Sequence, residues 1–320
     1  MVLEYAGILL VAFIFAVVLG FILIPVLRRL KIGQNVRTVG PKTHLSKSGT
    51  PTMGGLIFLI SALVVTVVFM PRNPLGYLVL FMAVASGGIG FADDYLKVVR
   101  KRPLGLMARY KLAGQIVFSV VFYLFLKAIN FDEALVIPWL GPVNLGWAYP
   151  VFVLLVTVGT VNATNLADGI DGLAGGLGII TLLGYAVIGY SADIPGIVYA
   201  AAALAGGILG FLVYNLHPAK VFMGDIGSLT IGGAIAAMAV LSHTEILLFF
   251  GLGIVFVLET VSVILQVLKF KLTGRRVFLM APIHHHFELK GWSEWKICLV
   301  FWLIQLVGTA AAVAVYLLAY

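Results

Sequence analysis

Long apolar stretches occur along the whole chain and limit the folds that it can adopt. Hydrophobic residues make up 62% of the 320 positions and charged residues only 11%, whereas soluble domains are about half apolar and a quarter charged. Backbone groups in lipid must be satisfied internally, by helices or closed barrels. The stretches are continuous, without the two-residue alternation of a membrane strand. We therefore expect an all-α integral membrane protein with a single polytopic domain over residues 1–320.

Ten of these stretches approach or exceed the ~20 residues that a membrane-spanning helix needs. The first is interpreted as a span, because it is too long for a cleaved signal and lacks a basic start. The predicted spans, with edges defined to within several residues, are 4–27, 53–70, 75–96, 111–129, 148–164, 173–190, 195–215, 227–242, 246–270 and 296–318.

The segments between the spans alternate in charge. One side holds 19 of the 21 Lys and Arg residues, and cytoplasmic loops are enriched in these residues. We therefore expect this side to be cytoplasmic, and an even number of spans then places both termini outside. Topology and attraction to anionic lipid headgroups account for most of this positive charge. We therefore expect membrane lipid, and not nucleic acid, as a partner. The single cysteine, Cys298, excludes an internal disulfide and disfavours thiol metal ligation.

Two adjacent aspartates close the third span on the basic side. Asp93 and Asp94 stand in FADDYLK, at the helix C-terminus, where the helix dipole disfavours negative charge. Adjacent helical residues differ in direction by about 100°, so one carboxylate can face a site while the other faces a neighbouring helix. A structural salt bridge with Lys97 or Arg100 is the alternative explanation.

Three further aspartates lie in Gly-rich segments of the same side. Asp168 and Asp171 stand in NATNLADGIDGLAGG, and Asp225 stands in MGDIGS just before the eighth span. Helix capping is the alternative for each, but it does not explain NxxN followed by DxxD. Clustered carboxylates repel one another strongly even at an effective dielectric constant of ~20. We therefore predict that they share Mg²⁺, which prefers carboxylate and phosphate oxygens, with an anionic substrate.

A run of three histidines, His284 to His286, follows the ninth span in FLMAPIHHHFELKGW. A zinc site is one interpretation, although consecutive histidines point in different directions and no cysteine assists. A structural element at the membrane interface is another, and contact with the substrate is favoured. Glu259, near the middle of the ninth span, is costly there; without an identifiable partner it is interpreted as structural.

In their order along the chain, these blocks resemble the bacterial phospho-N-acetylmuramoyl-pentapeptide transferases. That family is a branch of the polyprenyl-phosphate N-acetylhexosamine-1-phosphate transferases. The resemblance extends from about Lys42 to Trp292, and the segments GTPTMGG and APIHHHFELKGW are particular to this branch. It implies a homodimer of ten-span protomers with a broken ninth helix and a cytoplasmic active-site cleft.

Positions that match the family's functional residues carry charged and polar side chains here. Asp225 matches the metal-binding aspartate, Asp93 the acid proposed to activate the lipid phosphate, and Asp94 its companion. The positions associated with the nucleotide pocket are Asp171, Asn215 and Phe222. The remaining active-site positions are Lys47, Thr52, Lys97, Lys111, Asn162, Asp168, His284, His285 and His286. The predicted catalytic residues are Asp93, Asp94, Asp225, His284 and His285, and the others are predicted to bind substrate.

The resemblance implies Mg²⁺-dependent transfer of phospho-MurNAc-pentapeptide from UDP-MurNAc-pentapeptide to undecaprenyl phosphate, which yields lipid I and UMP at the bacterial cytoplasmic membrane. A related enzyme that transfers GlcNAc-1-phosphate is the nearest alternative. A secondary transporter is an alternative of another class, but transporters place coupling acids near the midplane and often have repeated halves. Only Glu259 lies deep in a predicted span, and no internal repeat is visible.

Overall fold

A computed structural model of the protein describes residues 2–30, 49–102 and 104–320. Helices dominate these ranges, and a short strand pair is the other regular structure. The α-helices are α1 (Val2–Arg29), α2 (Gly55–Phe69), α3 (Pro74–Val98), α4 (Ala108–Ala128), α5 (Tyr149–Leu166), α6 (Leu173–Ser191), α7 (Pro195–Asn215), α8 (Gly224–Leu241), α9 (Glu245–Leu247), α10 (Ile254–Thr273), α11 (Ile283–Leu289) and α12 (Glu294–Ala319). The strands are β1 (Ala134–Ile137) and β2 (Gly141–Asn144).

Nine of the predicted spans each coincide with one helix of the described chain, and the span 246–270 covers α9 and α10 together; the edges agree within three residues. By length and composition, eight helices in the described ranges can cross a membrane, and the bent pair formed by α9 and α10 adds a ninth. Helix α2 has 15 residues, which gives a length of about 22 Å against a hydrocarbon core of about 30 Å. The polytopic helical class is confirmed, and ten spans stay a prediction.

The ninth segment is broken, as the resemblance implies. A π-helical turn, Leu248–Leu252, follows α9, and the chain then bends by 82° before α10. Side chains of neighbouring helices satisfy the backbone at the break: Thr181 and Gln305 both donate to the carbonyl oxygen of Leu252 at 2.7 Å. Gln305 Oε1 also accepts from the amide of Val255 at 3.1 Å. Broken helices persist at membrane depth when surrounding protein replaces the lost hydrogen bonds.

A short antiparallel hairpin, β1–β2, connects α4 and α5. The prediction of an all-α fold missed it, because eight residues of strand carry little signal beside such long apolar runs. His243 Nδ1 lies 2.9 Å from the carbonyl oxygen of Ala134. The hydroxyl of Tyr320 donates to the carbonyl oxygen of Val136 at 2.9 Å. The hairpin therefore covers the end of the bundle where α12 finishes.

The two ends of the bundle differ in character. Helix α12 begins with Glu294, whose carboxylate accepts from the amide of Asp171 at 3.1 Å, and it ends beside the hairpin. At the start of α7, Tyr199 hydrogen-bonds Glu4 of the N-terminal helix. Both termini thus lie at the end of the bundle opposite the Asp171 loop. Helix α8 is buried between α3, α5 and α2 in the centre, and it carries Asp225 towards the Asp171 end.

Candidate active site

The helices that carry the paired aspartates, α3 and α8, pack in backbone contact at the site. A Cβ atom added to Gly90 would lie 2.2 Å from the carbonyl oxygen of Asp225, so only a glycine permits this approach. Gly90 precedes Asp93 by one helical turn, and Asp225 stands in the first turn of α8. The packing therefore brings the C-terminus of one helix and the N-terminus of the other together with their carboxylates.

Asp94 stabilises the start of α8. Its Oδ2 atom accepts a hydrogen bond from the amide of Ile226 at 3.1 Å, one of the amides that lack a partner within their own helix. Only 3% of Asp94 is exposed. Thr52, predicted to bind substrate, is buried beside it: a Cβ atom on Gly224 would lie 2.4 Å from Asp94 Oδ2 and 2.9 Å from Thr52 Oγ1. Gly224 has φ +73°, which favours glycine.

Asp93 points the other way and is completely buried. Its Oδ1 atom accepts from the amide of Leu106 at 2.7 Å and lies 3.1 Å from Lys111 Nζ, while Oδ2 contacts Lys97. The expectation that adjacent carboxylates face different neighbours is confirmed. The salt-bridge alternative is correct for Lys97, and the contact with Lys111 adds a second cation from α4.

Asp225 contacts the same two lysines from the opposite side. Its Oδ2 atom contacts Lys111 and lies 3.3 Å from Lys97 Nζ. Its Oδ1 atom accepts from Asn165 Nδ2 at 3.2 Å. The α8 N-cap residue is Met223, without a side-chain cap hydrogen bond, so the capping alternative is wrong for Asp225. Two ammonium groups instead neutralise carboxylates from α3 and α8.

The three carboxylates fit a magnesium ion. Asp93, Asp94 and Asp225 each offer one oxygen atom, and these atoms lie within 4.8 Å of one another. Mg²⁺ takes carboxylate and phosphate oxygens and keeps several waters, so a partly exposed group of this kind is a suitable donor set. Two lysines against three carboxylates leave net negative charge, which a divalent cation would balance.

Asp168 is a fourth acid beside these three carboxylates. It lies between α5 and α6, and burial together with the neighbouring carboxylates of Asp225, Asp94 and Asp171 raises the pKa of Asp168 to about 8. Each of these effects disfavours the ionised form. The prediction that acids from separate segments converge is therefore confirmed in geometry for Asp93, Asp94 and Asp225, with Asp168 close enough to interact electrostatically.

Asp171 organises a second cluster behind the first. Its Oδ2 atom accepts from the amide of Ala219 at 3.1 Å and lies 3.0 Å from His217 Nδ1. The N-cap of α6 is Gly172, without a side-chain cap, so the capping alternative is wrong for Asp171. Asn215 joins the loop to the end of α7, because its Oδ1 accepts from the amide of Gly172 at 3.0 Å.

Phe222 and Thr52 belong to two strand-like segments that pair beside the carboxylates. The amide of Phe222 donates to the carbonyl oxygen of Pro51 at 2.8 Å, and the amide of Gly54 donates back to Phe222 at 2.8 Å. The pairing joins GTPTMGG to VFMGD, two blocks that are about 170 residues apart in sequence. Lys47, another predicted substrate-binding residue, lies outside the described residues.

The histidines of the run point in three directions. His284 is completely buried; its Nδ1 lies 3.1 Å from Glu259 Oε1, and a Cβ atom on Gly169 would lie 2.0 Å from its Nε2. His285 Nδ1 lies 2.6 Å from Glu288 Oε2. Among the described residues, no group within metal-binding distance includes these histidines, so the structure gives the zinc alternative no support.

His286 lies at the outer side of the run and closes the turn that precedes α11. Its Nδ1 accepts from the amide of Leu279 at 3.1 Å. Partial burial and the nearby Lys290 lower the pKa of His286, which favours the neutral ring that can accept this hydrogen bond. Of the three predicted histidines, His284 thus touches the aspartate loop at Gly169, while His286 fastens the connecting segment.

Sequence reasoning selected Asn162 where the structure places Asn165 in the cluster. Asn162 is exposed and donates to Gln115 at 2.8 Å, whereas Asn165 binds Asp225 and donates to Ser228 at 2.9 Å. The two asparagines are three residues apart on one helical face, so spacing did not distinguish them. Glu259 was also missed as a partner of His284, because no spacing rule connects α10 with α11 across the segment between them.

The close contact at Gly90 gives a first prediction. Gly90→Ala gains up to ~1 kcal/mol of helix propensity, but the clash with Asp225 resembles overpacking, which costs about 1–3 kcal/mol. We therefore expect a lower melting temperature in detergent and reduced turnover. Gly159→Ala on α5 is the control, since a Cβ atom there has no neighbour within 4 Å. Equal behaviour of the two variants would contradict the steric explanation.

Comparisons with known proteins identify the family of this chain. The family model for glycosyl transferase family 4 matches residues 76–243, slightly more than half of the chain. The first signature of phospho-N-acetylmuramoyl-pentapeptide-transferase matches residues 47–59. Proteins of that name are 50% identical in Bacillus subtilis (strain 168), with 92% of both chains covered, and 48% identical in Shouchella clausii, with 94% of both covered. The relative in Halalkalibacterium halodurans is 47% identical over 97% of this chain.

An acidic and basic cluster at one end of an apolar helical bundle, together with these matches, defines an enzyme of the phospho-sugar transferase class. Within that class, the chain belongs to the phospho-N-acetylmuramoyl-pentapeptide-transferase family. The resemblance inferred from the sequence motifs is confirmed.

Proposed function

We propose that this protein transfers phospho-MurNAc-pentapeptide from UDP-MurNAc-pentapeptide to undecaprenyl phosphate, releasing UMP and forming lipid I for peptidoglycan synthesis. The observation that carries the proposal is the convergence of Asp93, Asp94 and Asp225 with Lys97 and Lys111 at one end of an apolar bundle. In that arrangement a water-soluble donor and a membrane-held acceptor can meet. Identity of about half to relatives of that name over most of the chain supports the choice of substrates.

The basic loops support a cytoplasmic orientation of this end. We infer that the protein lies in the bacterial cytoplasmic membrane as a multi-pass homodimer, with both termini outside and a cytoplasmic cleft. The position of both termini at the end opposite the Asp171 loop fits an even number of spans.

Two anions have to approach each other, so positioning and charge stabilisation dominate the chemistry. Asp225, with Asp93 and Asp94 beside it, would hold Mg²⁺, which would screen the phosphate oxygens. Lys97 and Lys111 are placed to exchange contacts with carboxylates for contacts with phosphate. A phosphate second pKa near 6 leaves the acceptor largely ionised at neutral pH, so Asp93 would orient Lys97 and Lys111 more than it removes a proton.

We favour direct attack by the lipid phosphate over a covalent aspartyl intermediate. An acceptor oxygen forms a bond to the sugar-bearing phosphorus of the donor, the bond from that phosphorus to the bridging oxygen breaks, and UMP leaves with that oxygen. Asp171 and Asn215 of the second cluster, together with Phe222, would bind the nucleotide.

The test is UMP release by the purified protein from UDP-MurNAc-pentapeptide. We expect release only when undecaprenyl phosphate and Mg²⁺ are both present, in equal amount to the lipid product. UDP-GlcNAc, supplied in parallel, should give no lipid-linked product. Transfer from UDP-GlcNAc without transfer from UDP-MurNAc-pentapeptide would assign the related activity and overturn the proposal.

A further inference from the structure

One face of helix α12 binds the backbone of Asp171. Glu294 is the first residue of this helix, and its Oε2 atom accepts the hydrogen bond from the amide of Asp171 at 3.1 Å. One turn further along, the thiol of Cys298 donates to the carbonyl oxygen of Asp171 at 3.3 Å. Residues four apart lie on the same side of a helix. Both backbone polar groups of Asp171 are thus held by neighbouring side chains of α12.

The side chain of Asp171 is connected to the same helix through a histidine. Its Oδ2 atom lies 3.0 Å from His217 Nδ1, and Glu294 Oε1 lies 3.5 Å from the same nitrogen. The imidazole ring of His217 thus lies between two carboxylates. A change in the position of Glu294 would therefore alter the contact that orients the Asp171 carboxylate.

Water has little access to these contacts. Asp171 is 4% exposed and Cys298 2%, and the side chain of Glu294 is 9% exposed. A buried amide that loses its acceptor costs the full desolvation of the group, so without Glu294 the Asp171 amide would shift towards another acceptor. Such a shift would also reach Asn215, which accepts from the amide of the next residue, Gly172, at 3.0 Å.

We propose that Glu294 and Cys298 are positioning residues for the donor nucleotide, and that they act through Asp171. The inference rests on the proposed function, in which Asp171 and Asn215 bind that nucleotide. A carboxylate binds a ligand most tightly when its orientation is fixed before binding, because no ordering cost then remains. Helix α12, which carries none of the predicted site residues, therefore sets the affinity for the donor.

The experiment compares Glu294→Ala with two variants of the same helical turn. Glu294→Gln keeps a side-chain oxygen that can accept from the Asp171 amide. Ser293→Ala is the matched control: the exposed Ser293 caps α12 by accepting from the amide of Lys296 at 3.3 Å, so its loss loosens the same helix start. Calorimetry gives the dissociation constant of UMP in the presence of Mg²⁺, and kinetics give the Michaelis constants for UDP-MurNAc-pentapeptide and undecaprenyl phosphate.

We expect Glu294→Ala to raise the dissociation constant of UMP and the Michaelis constant for UDP-MurNAc-pentapeptide about tenfold, the effect of losing one hydrogen bond to a charged group. The Michaelis constant for undecaprenyl phosphate should remain that of the unmodified protein. Glu294→Gln should restore most of the affinity for UMP. Ser293→Ala should lower the melting temperature and leave the affinity for UMP unchanged.

A second pair of variants tests the carbonyl side of Asp171 and serves if Glu294→Ala does not fold. Cys298→Ala removes the donor to this carbonyl oxygen, whereas Cys298→Ser keeps a hydroxyl donor. A thiol is a weak donor, so we expect a rise of about threefold in the dissociation constant of UMP for Cys298→Ala, and a smaller rise for Cys298→Ser. Equal constants for the two variants would contradict the positioning role of Cys298.

Binding of UMP requires no turnover, so it separates this inference from the proposed function. Normal turnover by the unmodified protein, with equal affinity of Glu294→Ala and the unmodified protein for UMP, would leave the enzymatic proposal intact and overturn the positioning role. An equal loss of affinity in Glu294→Ala and Ser293→Ala would assign the effect to the helix start and would also overturn it. Transfer from UDP-GlcNAc alone would refute the proposed function, whereas a loss of UMP affinity confined to Glu294→Ala would still support the positioning role.

Discussion

Asp225→Asn is expected to lower turnover by a factor of about 10²–10³, the range observed when one group that stabilises developing charge is removed. The substitution keeps the shape of the side chain but removes the negative charge that contacts Lys97 and Lys111. The side-chain NH₂ group of the new asparagine would also face the ammonium groups of Lys97 and Lys111, and all of these groups can only donate hydrogen bonds. The measurement is UMP release over a Mg²⁺ titration, in which the residual activity should need more Mg²⁺ than the unmodified protein.

Asp193→Asn provides the matched control. Asp193 is exposed between α6 and α7, and it has φ +55°, a conformation that asparagine tolerates well. Both variants should melt near the temperature of the unmodified protein, because neither substitution changes a buried volume. Turnover of Asp225→Asn equal to that of Asp193→Asn, at every Mg²⁺ concentration, would refute the role assigned to Asp225.

Glu259→Ala is expected to have the largest effect on stability. Glu259 and His284 are both completely buried, and Glu259 Oε1 lies 3.1 Å from His284 Nδ1. Removing one partner of such a pair leaves the other without compensation and costs about 3–5 kcal/mol. Activity should also fall, by about 10²-fold, since a shift of about 1 Å near a reacting centre can have that effect. The ring of His284 contacts Gly169 in the aspartate loop, so its displacement would reach the site.

The paired substitution distinguishes a specific pair from general loss of packing. Glu259→Ala combined with His284→Ala should cost less than the sum of the single variants, with a coupling of about 0.5–3 kcal/mol. Glu245→Ala is the control, because Glu245 is also buried in the broken ninth segment, whereas among the described residues it forms no ion pair like that of Glu259 with His284. Strictly additive effects at Glu259 and His284, measured from melting and turnover, would contradict the pairing.

The helices were predictable because bilayer thickness sets the length of an apolar run, and the sequence shows where such runs stop. Predicted span 195–215 coincides with α7 at both ends. The start of α8 was placed three residues late, since Gly224 and Asp225 do not look like helix formers in isolation. Their helical conformation is stabilised from outside, by the hydrogen bond from Ile226 to Asp94.

The sequence predicted the parts of the site that depend on charge alone. It did not predict the contacts that depend on which face a helix turns towards its neighbour. Five acids, Asp93, Asp94, Asp168, Asp171 and Asp225, were expected to meet because unshielded acids on a membrane face need a common cation. Asp93, Asp94 and Asp225 do so, whereas Asp171 lies in a separate group with His217 and Glu294. Which asparagine of NATN would join them depends on how α5 crosses α8, a relation that the sequence does not contain. The Glu259–His284 contact depends likewise on the return of the chain after α10, through a turn held by Gln266 hydrogen bonds to Phe278.

The position of α8 has a consequence for how the enzyme accommodates its substrates. Added Cβ atoms would collide with neighbouring backbone at Gly55, which meets Gly227, and at Gly233, which meets the carbonyl oxygen of Met82. Helix α8 is thus wedged between α2 and α3, with no room to slide or rotate. We therefore expect Asp225 to keep its position during turnover, so that adjustment to the bound substrates falls to the surrounding connections.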